Sequence, residues 1–568
     1  IKFGEAVEAI NQSGDTENEI VLMENITLGG NYINYTLTND KTTTTKTTTI
    51  KGEGHTISIK SKAEIKVEGE KTVLNLGANG YDKKLTIDGD TTAAFIVVSG
   101  GATANMNENV TLQNRMFTGN AYVLVTGSKS VFNMKGGVIE GGSRAVIAQS
   151  GATFNMSGGE IRNCVSMNDG VGLYADNSTI NITGGIISGC KAGMGAGGGL
   201  YATNGSTINI NSGTISGCEA GAGGGLYATN SSEITISGGT ISGCTGLRGG
   251  GLYADNSTVT ITGGTISGCK VGAGGGLFAT NSSKITIRGG TISECSTTLD
   301  SGKGGGLYAE NSTITISGGT IENNEAARGG GVALTDSTVK KDEKPIRNWM
   351  VVGNKAYKTG GGIWLGEKVE WDISDRTKQI YNNQAIEQGA DIFLEGGTSA
   401  IKLPNAANMG VKYHDSGINI DNWYNDNPRY TPSENGQVVE ANKWLNGGLS
   451  LVASYKAIPV RIEIDANGGK GGSGSQTVQK GTTVTLEAPT KEGHLFKGWK
   501  DEKGNGYPAG EDGKVKITVT GDMTLTAEWK KLPSAENLPK TGDESPVLLW
   551  GAALAVSAAA CFMLRRRK

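Results

Sequence analysis

Histidines, cysteines and acids are the residues that could do chemistry in this chain, and their spacing argues against most of it. The three histidines, His55, His414 and His494, are far apart in sequence, so no Ser-His-Asp arrangement is suggested. No CxxC or histidine pair offers zinc-ligand spacing. Six cysteines, Cys164, Cys190, Cys218, Cys244, Cys269 and Cys295, recur at one place in consecutive repeats, and Asn324 takes that place in the next. Stacked coils would set their Cα atoms ~4.8 Å apart, inside the disulfide window, yet in-register parallel strands point the Cβ atoms the same way. A stack of small, half-buried thiols is expected, with pairwise bridges as the alternative. Polysaccharide cleavage needs clustered carboxylates, or Ca²⁺-binding acids beside a basic group. Here the position after the repeat alanine holds Asp176, Thr203, Thr229, Asp255, Thr280 and Glu310. Acids separated by neutral coils fit a tolerant turn better than a catalytic centre. No enzyme, cofactor or metal is expected.

Aromatics are the better binding candidates. Tyr174, Tyr201, Tyr227, Tyr253, Phe278 and Tyr308 follow one another at spacings of 27, 26, 26, 25 and 30 residues, and Trp364 in GGGIWL takes the same place further on. If Leu200 and Ala202 point inward, alternation turns Tyr201 and its counterparts outward. Exposed in a row, they could stack on sugar rings or anchor a protein. Alternatively the rings lie against the glycine-rich corners and fill space that side chains leave empty. Both arrangements satisfy the alternation.

The elements that must position these residues are repeats. GGGLYATNSSEITISGGTISGC, GGGLYADNSTVTITGGTISGC and GGGLFATNSSKITIRGGTISEC restate one unit between Gly170 and Leu334. A period of this size means stacked repeats. Each unit reads as three short strands, GGGLYA, STITIS and GGTISGC, with Asn-Ser and Gly-Gly at the corners. Thr258-Val259-Thr260-Ile261-Thr262 alternates strictly, so one face is apolar and the other hydroxylated. Single units could not bury their Ile and Leu, whereas stacking gives them a continuous dry column. The fold class is therefore all-β, a right-handed parallel β-helix with about 26 residues per coil. Roughly thirteen coils at ~4.8 Å give a rod on the order of 60 Å. Its outward Thr258, Thr260, Thr262, Thr313, Thr315 and Ser317 suggest the arrays of ice-binding proteins, but Glu233, Lys284 and Arg288 interrupt them. Solvated sheet surface is the expectation.

In chain order, residues 1–60 form an N-terminal cap and first strands. Phe3, Val7 and Ile10 have helical spacing, and a short helix there would cover the open end of the solenoid. Ile1 is not Met, so an upstream export signal is expected to have been removed or left out. The run Thr42–Thr49 reads as a loop or an edge strand. Residues 61–411 carry the β-helix repeats, with the charged KKDEK at Lys340–Lys344 thrown out between coils. Residues 412–456, with Tyr413, Trp423, Tyr424, Tyr430 and Trp444 among Asn and Asp, form a C-terminal cap or, alternatively, a ligand platform. The chain has 568 residues, 91 of them glycine and only 10 proline, which suits a solenoid with appended modules and excludes collagen. A net charge of −3 gives no reason to invoke nucleic acid.

Residues 457–531 carry VRIEIDANGGKG, TVQKGTTVTLEAPTKEGHLFKGWKDE and VTGDMTLTAEWKK, marked by Gly468-Gly469, Gly481, Pro489, Phe496–Trp499 and Asp522 to Trp529. This stretch resembles the Listeria–Bacteroides repeat family, which implies a small β-rich extracellular spacer or interaction module. Residues 532–568 hold Leu538-Pro539-Lys540-Thr541-Gly542, an uncharged run at 547–564 long enough to span a bilayer as a helix, and Arg565-Arg566-Arg567-Lys568. In that order they resemble the LPxTG sorting signal of Gram-positive surface proteins. The resemblance implies membrane insertion before sorting, cleavage by a sortase between Thr541 and Gly542, and covalent attachment of Thr541 to peptidoglycan. The repeats resemble the adhesin-like β-helix proteins of Gram-positive bacteria. A cell-wall surface adhesin with an unidentified glycan or protein ligand is the expected function. A β-helical lyase or hydrolase and a non-binding stalk are the alternatives.

Overall fold

The computed structural model describes residues 2–29, 35–89, 93–114, 121–342, 349–373, 378–395, 398–403, 418–425, 444–446, 450–457, 459–479, 483–510, 513–519 and 522–532. The chain divides into two compact units, Ile1–Val411 with Asn419–Lys456, and Lys412–Ile418 with Ala457–Lys568.

Unit 1 is a parallel β-helix of about thirteen turns. One turn shows why it coils. Leu226–Ala228 pairs in parallel with the next coil as Leu226↔Leu252, Tyr227↔Tyr253 and Ala228↔Ala254. Glu233–Ile236 and Thr240–Ser242 pair likewise, Ile234 on Val259 and Ile241 on Ile266. Like therefore lies on like. Leu200, Leu226, Leu252, Leu277 and Leu307 form one wholly buried column, and Ile215, Ile241, Ile266 and Ile292 another. Each such side chain contributes about 1.5–3 kcal/mol by leaving water, but only because its neighbours above and below are dry as well.

Three parallel sheets result. The strands expected from STITIS and GGTISGC share one 25-stranded sheet, and those from GGGLYA lie in a 16-stranded sheet. From Glu219 onward a fourth short strand, such as Glu219–Ala222 or Thr245–Arg248, recurs in seven coils and builds a separate 7-stranded sheet that the repeat pattern did not announce. Corners are made by left-handed residues. Asn204, Asn256, Asn281 and Asn311 hold φ between 48° and 53°, a conformation asparagine tolerates better than most side chains.

Both ends of the ladder of coils are covered. Helix α1 (Phe3–Gln12) buries Phe3, Val7 and Ile10, and the Phe3 ring meets the edge of Tyr35 at 5.6 Å. Buried Lys46 donates to the Ile10 and Ser13 carbonyls at 2.9 and 2.6 Å, partnering acceptors that a helix end leaves open. Lys46–Lys51 is neither loop nor edge. It sits between Glu17–Val21 and Thr72–Leu76, its threonines alternating between buried and half-buried. At the other end the direction reverses: Ser450–Ala457 pairs antiparallel with Ile392–Leu394, and Trp444–Asn446 with Ala400–Lys402. Antiparallel strands stop further parallel stacking at that edge.

In unit 2, Pro459–Asp465 runs parallel to Met523–Lys531 and antiparallel to Gly474–Gln479. His494–Asp501 flanks Met523–Lys531 on its other side. Ile462, Trp499, Val515, Ile517, Val519 and Leu525 are the centre of its core. No helix among the described residues is long and apolar enough to cross a membrane, and 532–568, where the span is expected, lies almost wholly outside them.

Candidate functional site

The strand that turns leucine and alanine into the rod turns the intervening aromatic out of it. Tyr174, Tyr201, Tyr227, Tyr253, Phe278 and Tyr308 are consecutive partners in the 16-stranded sheet. Ala333, Trp364 and Phe393 continue the column. Their rings stack along the rod. Centroids lie 5.3, 5.3 and 4.9 Å apart through Tyr253 with interplanar angles of 5°, 7° and 13°, then 4.8 and 5.0 Å with tilts of 39° and 45°.

This geometry decides what the ladder can offer. A sugar stacks on a ring face, but in the first four rungs each face is taken by the next ring, and solvent meets edges and hydroxyls. Arg144 caps the outer face of Tyr174 at 4.9 Å. The expectation of a stripe exposed along its whole length is corrected at four positions: Tyr253 and Tyr308 are 6% exposed, Phe278 and Trp364 1%. They form a small core of their own with Ala333, packed against Ala222, Ala273 and Phe393. The fourth strands and the segments that follow them supply the cover, with Arg248 5.9 Å from the Phe278 ring and Lys303 4.7 Å from Trp364. The glycine-corner arrangement holds along the ladder, since a Cβ on Gly197 or Gly223 would stand 2.8 Å from that of Tyr201 or Tyr227. A Cβ on Gly249, at φ +59°, would stand 2.8 Å from that of Tyr253. Tyr174, Tyr201 and Tyr227 remain half-buried.

Acids at the last position of the strand serve the same wall. The Tyr227 hydroxyl donates to Asp255 at 3.2 Å and that of Tyr308 to Glu310 at 2.7 Å. Asp176 and Asp255 also accept from Asn204 and Asn281 of the following coils at 2.8 and 2.7 Å. Burial pushes the Tyr201 phenol up to about 12, and burial with the nearby Asp255 raises Tyr227 as well. The ladder therefore stays neutral at physiological pH.

The cysteines are wholly buried, not half-buried, and all six are free. Thiols donate to the carbonyl two residues back, Cys244 to Ser242 at 3.4 Å and Cys295 to Ser293 at 3.2 Å. Hydrogen bonding to neighbouring thiols, together with burial, pushes Cys218 and Cys269 up. After Cys295 the column changes to amides: Asn324 donates to Asn354, Asn354 to Asn383 and Asn383 to Asp391, at 2.9, 3.0 and 2.8 Å.

Two features escaped the sequence. On the outer face of the long sheet, Asn75, Asn105, Asn133, Asn155, Asn181 and Asn209 form an amide ladder with bonds of 2.8–2.9 Å. Asparagine recurring one residue before the inward Leu, Met or Ile was its signal. A cleft of about 360 Å³ opens beside the KKDEK run, with Asp342, Lys340, Lys341, Lys368, Glu370, Trp371 and Asp372 on its walls. Asp342 is bound there by Arg288 at 2.7 and 3.0 Å and by the Ser317 hydroxyl at 2.6 Å. That run is thus partly pinned to the sheet. Among the described residues no group of His, Cys, Asp and Glu has the arrangement to hold a metal ion. The sorting residues Leu538, Pro539, Lys540, Thr541 and Gly542 lie outside the described residues, as do the side chains of Tyr413, Trp423, Tyr424, Tyr430 and Trp444.

Residues 198–385 match the family model of the right handed beta helix region, which gives the coil its hand. Residues 462–528 match the Listeria-Bacteroides repeat domain. A putative Gly-rich membrane protein of Evansella cellulosilytica is 27% identical over 167 residues, which make up 28% of this chain and 17% of that protein. The chain thus spans well under a fifth of the curated relative it matches. No solved structure matches.

Proposed function

We propose that this chain is an adhesin-like protein of a Gram-positive cell surface, a β-helical rod held to the wall by its C-terminus and binding a glycan or protein along its side. The order of residues at the C-terminus carries this reading: Leu538-Pro539-Lys540-Thr541-Gly542, then an uncharged stretch at 547–564, then Arg565–Lys568. An apolar span would hold the exported chain in the membrane, the basic tail would stay inside, and a sortase would transfer Thr541 to peptidoglycan. The name of the Evansella relative, a membrane protein, and the match to the Listeria-Bacteroides repeat domain support a place at the surface. For the ligand, the ladder offers the edges and hydroxyls of Tyr174, Tyr201 and Tyr227.

Anchoring is tested by replacing Thr541 with Ala. The protein then leaves the covalent wall fraction and collects in membrane or medium, whereas retention in the wall refutes sorting at this residue. Binding is tested on a glycan and matrix-protein array with residues 1–456, wild type against the triple variant Tyr174→Phe, Tyr201→Phe, Tyr227→Phe. Stacking survives that change and only hydroxyls are lost, so a tenfold weakening (~1.4 kcal/mol in all) is expected for a hydroxyl-reading ligand. Undiminished binding moves the contact off the ladder, and no binding by the wild type favours a stalk.

One observation favours a second reading, polysaccharide cleavage: the cleft where Asp342, Glu370 and Asp372 gather beside Trp371. Asp342 is committed to Arg288, and Asp372 lies 3.4 Å from Lys341. Glu370 is exposed. Polysaccharide turnover abolished by Glu370→Gln would establish it.

A further inference from the structure

Basic and acidic side chains nearly balance across residues 457–531, yet they are not mixed evenly over unit 2. Lys491, His494, Lys497, Lys500 and Lys531 converge on one open cleft of about 530 Å³, which holds a single acid, Glu528. Antiparallel pairing causes the convergence. His494 lies opposite Lys531 and Lys500 opposite Thr526, so the two neighbouring strands bring Lys497, Lys500 and Lys531 to the walls of the same cleft. Three of the module's other acids are occupied elsewhere: Asp501 closes its own turn onto Asn505, Glu487 pairs with Lys514, and Glu463 with Arg461. Glu528 answers Lys500 alone, at 3.5 Å. Among the described residues no carboxylate pairs with Lys497 or Lys531.

The cleft also has a flat apolar wall. Trp529 is half-buried, and its indole N–H is already spent on the Ala466 carbonyl at 3.1 Å. Lys491 lies 5.7 Å from its ring centre and is fixed by a 2.9 Å bond to the Asn467 carbonyl. Unbalanced cations around an aromatic suit a chain that alternates sugar rings with negative groups.

We propose that this module binds an anionic polysaccharide bearing carboxylate or sulfate groups, with Lys497, Lys500 and Lys531 contacting the charges and Trp529 a sugar ring. Such a site is independent of the aromatic ladder, whose test uses residues that exclude the module.

The test is retention of the full chain on immobilised heparin and on polygalacturonate, with polyglycerol phosphate as a third surface. Wild type is compared with Lys497→Gln/Lys500→Gln/Lys531→Gln and with a control that removes equal charge outside the cleft, Lys503→Gln/Lys514→Gln/Lys516→Gln. The expected result is binding to heparin or polygalacturonate that falls with added salt, weakens at least tenfold in the cleft variant and stays within about twofold in the control. Unchanged circular dichroism of both variants excludes misfolding as the cause. Equal loss in both variants, or no wild-type binding to either polysaccharide, overturns the proposal. Binding to polyglycerol phosphate alone also overturns it, in favour of a phosphodiester polymer.

Discussion

Six coils of the rod place a cysteine, and the next three an asparagine, at the same buried rung, and the two halves satisfy burial differently. A thiol is small and nearly apolar, and its weak donor is met mainly within its own coil, as Cys244 meets Ser242 at 3.4 Å, with a longer contact of 3.9 Å to the Ile215 carbonyl of the preceding coil. Each cysteine rung therefore depends only weakly on its neighbours. An asparagine amide brings two donors and an acceptor into a dry interior and depends on the coils around it. Asn354 donates to Asn383 and to the Ile321 carbonyl, while its own oxygen accepts from both the amide and the main-chain N–H of Asn324. The series ends on Asp391, itself 1% exposed, which accepts from the Asn383 amide and main-chain N–H. At the junction, the Cys295 main-chain N–H donates to Asn324 at 2.9 Å. One position of the repeat thus accepts either chemistry, but the amides couple neighbouring coils through short hydrogen bonds and the thiols only through weak ones near 3.9 Å.

Breaking the amide half has the largest expected effect. Asn354→Ala strands the Asn324 main-chain N–H and one of its two amide hydrogens and removes a donor from Asn383, and buried polar groups left unpaired cost about 1–3 kcal/mol each. A loss of about 3–5 kcal/mol in denaturant unfolding of residues 1–456 is expected, and a loss below about 1 kcal/mol would show that the rungs are not coupled. Alkaline pH attacks the other half. Folding raises the thiol pKa values of Cys190, Cys218 and Cys269, so their stabilisation is complete below the unfolded thiol value of ~8.5 and is lost as pH rises above it. Each such thiol steepens the decline by up to about 1.4 kcal/mol per pH unit. Replacing the three with alanine should flatten the stability–pH curve between about pH 8.5 and 9.5, while Asn354→Ala leaves its slope unchanged. The smallest effect is Cys244→Ala at neutral pH. Losing one sulfur from a weakly coupled rung should cost about 1 kcal/mol, and a cost equal to that of Asn354→Ala would erase the distinction between the halves.

What was legible in the sequence followed the period. Leu226 and Ala228 point inward and Tyr227 outward, as alternation requires, and the coil at Glu233–Ile236 pairs where the repeat predicts. The fourth strand was not legible, because Glu219–Ala222, Thr245–Arg248 and Lys270–Val271 share neither composition nor alternation. Their strand character comes from pairing with one another. The same strands cover the ladder, so the burial of Phe278 and Trp364 was hidden with them. In unit 2, the lysines near Trp499 and Trp529 were visible, but their convergence on one cleft depends on the register that sets His494 opposite Lys531.

The sequence by itself determined the coil, since identical apolar residues at a fixed period have nowhere dry to go except onto their own copies. It also determined that the six cysteines share one rung. Tertiary structure alone decided which outward residues meet water. Exposure of Tyr201 against burial of Phe278 depends on how closely the fourth strands and the segments that follow them pack over the ring, and on whether Arg248 or Lys303 lies across it. Alternation fixes on which side of a strand a residue stands, and only the neighbouring strands fix what stands beyond it.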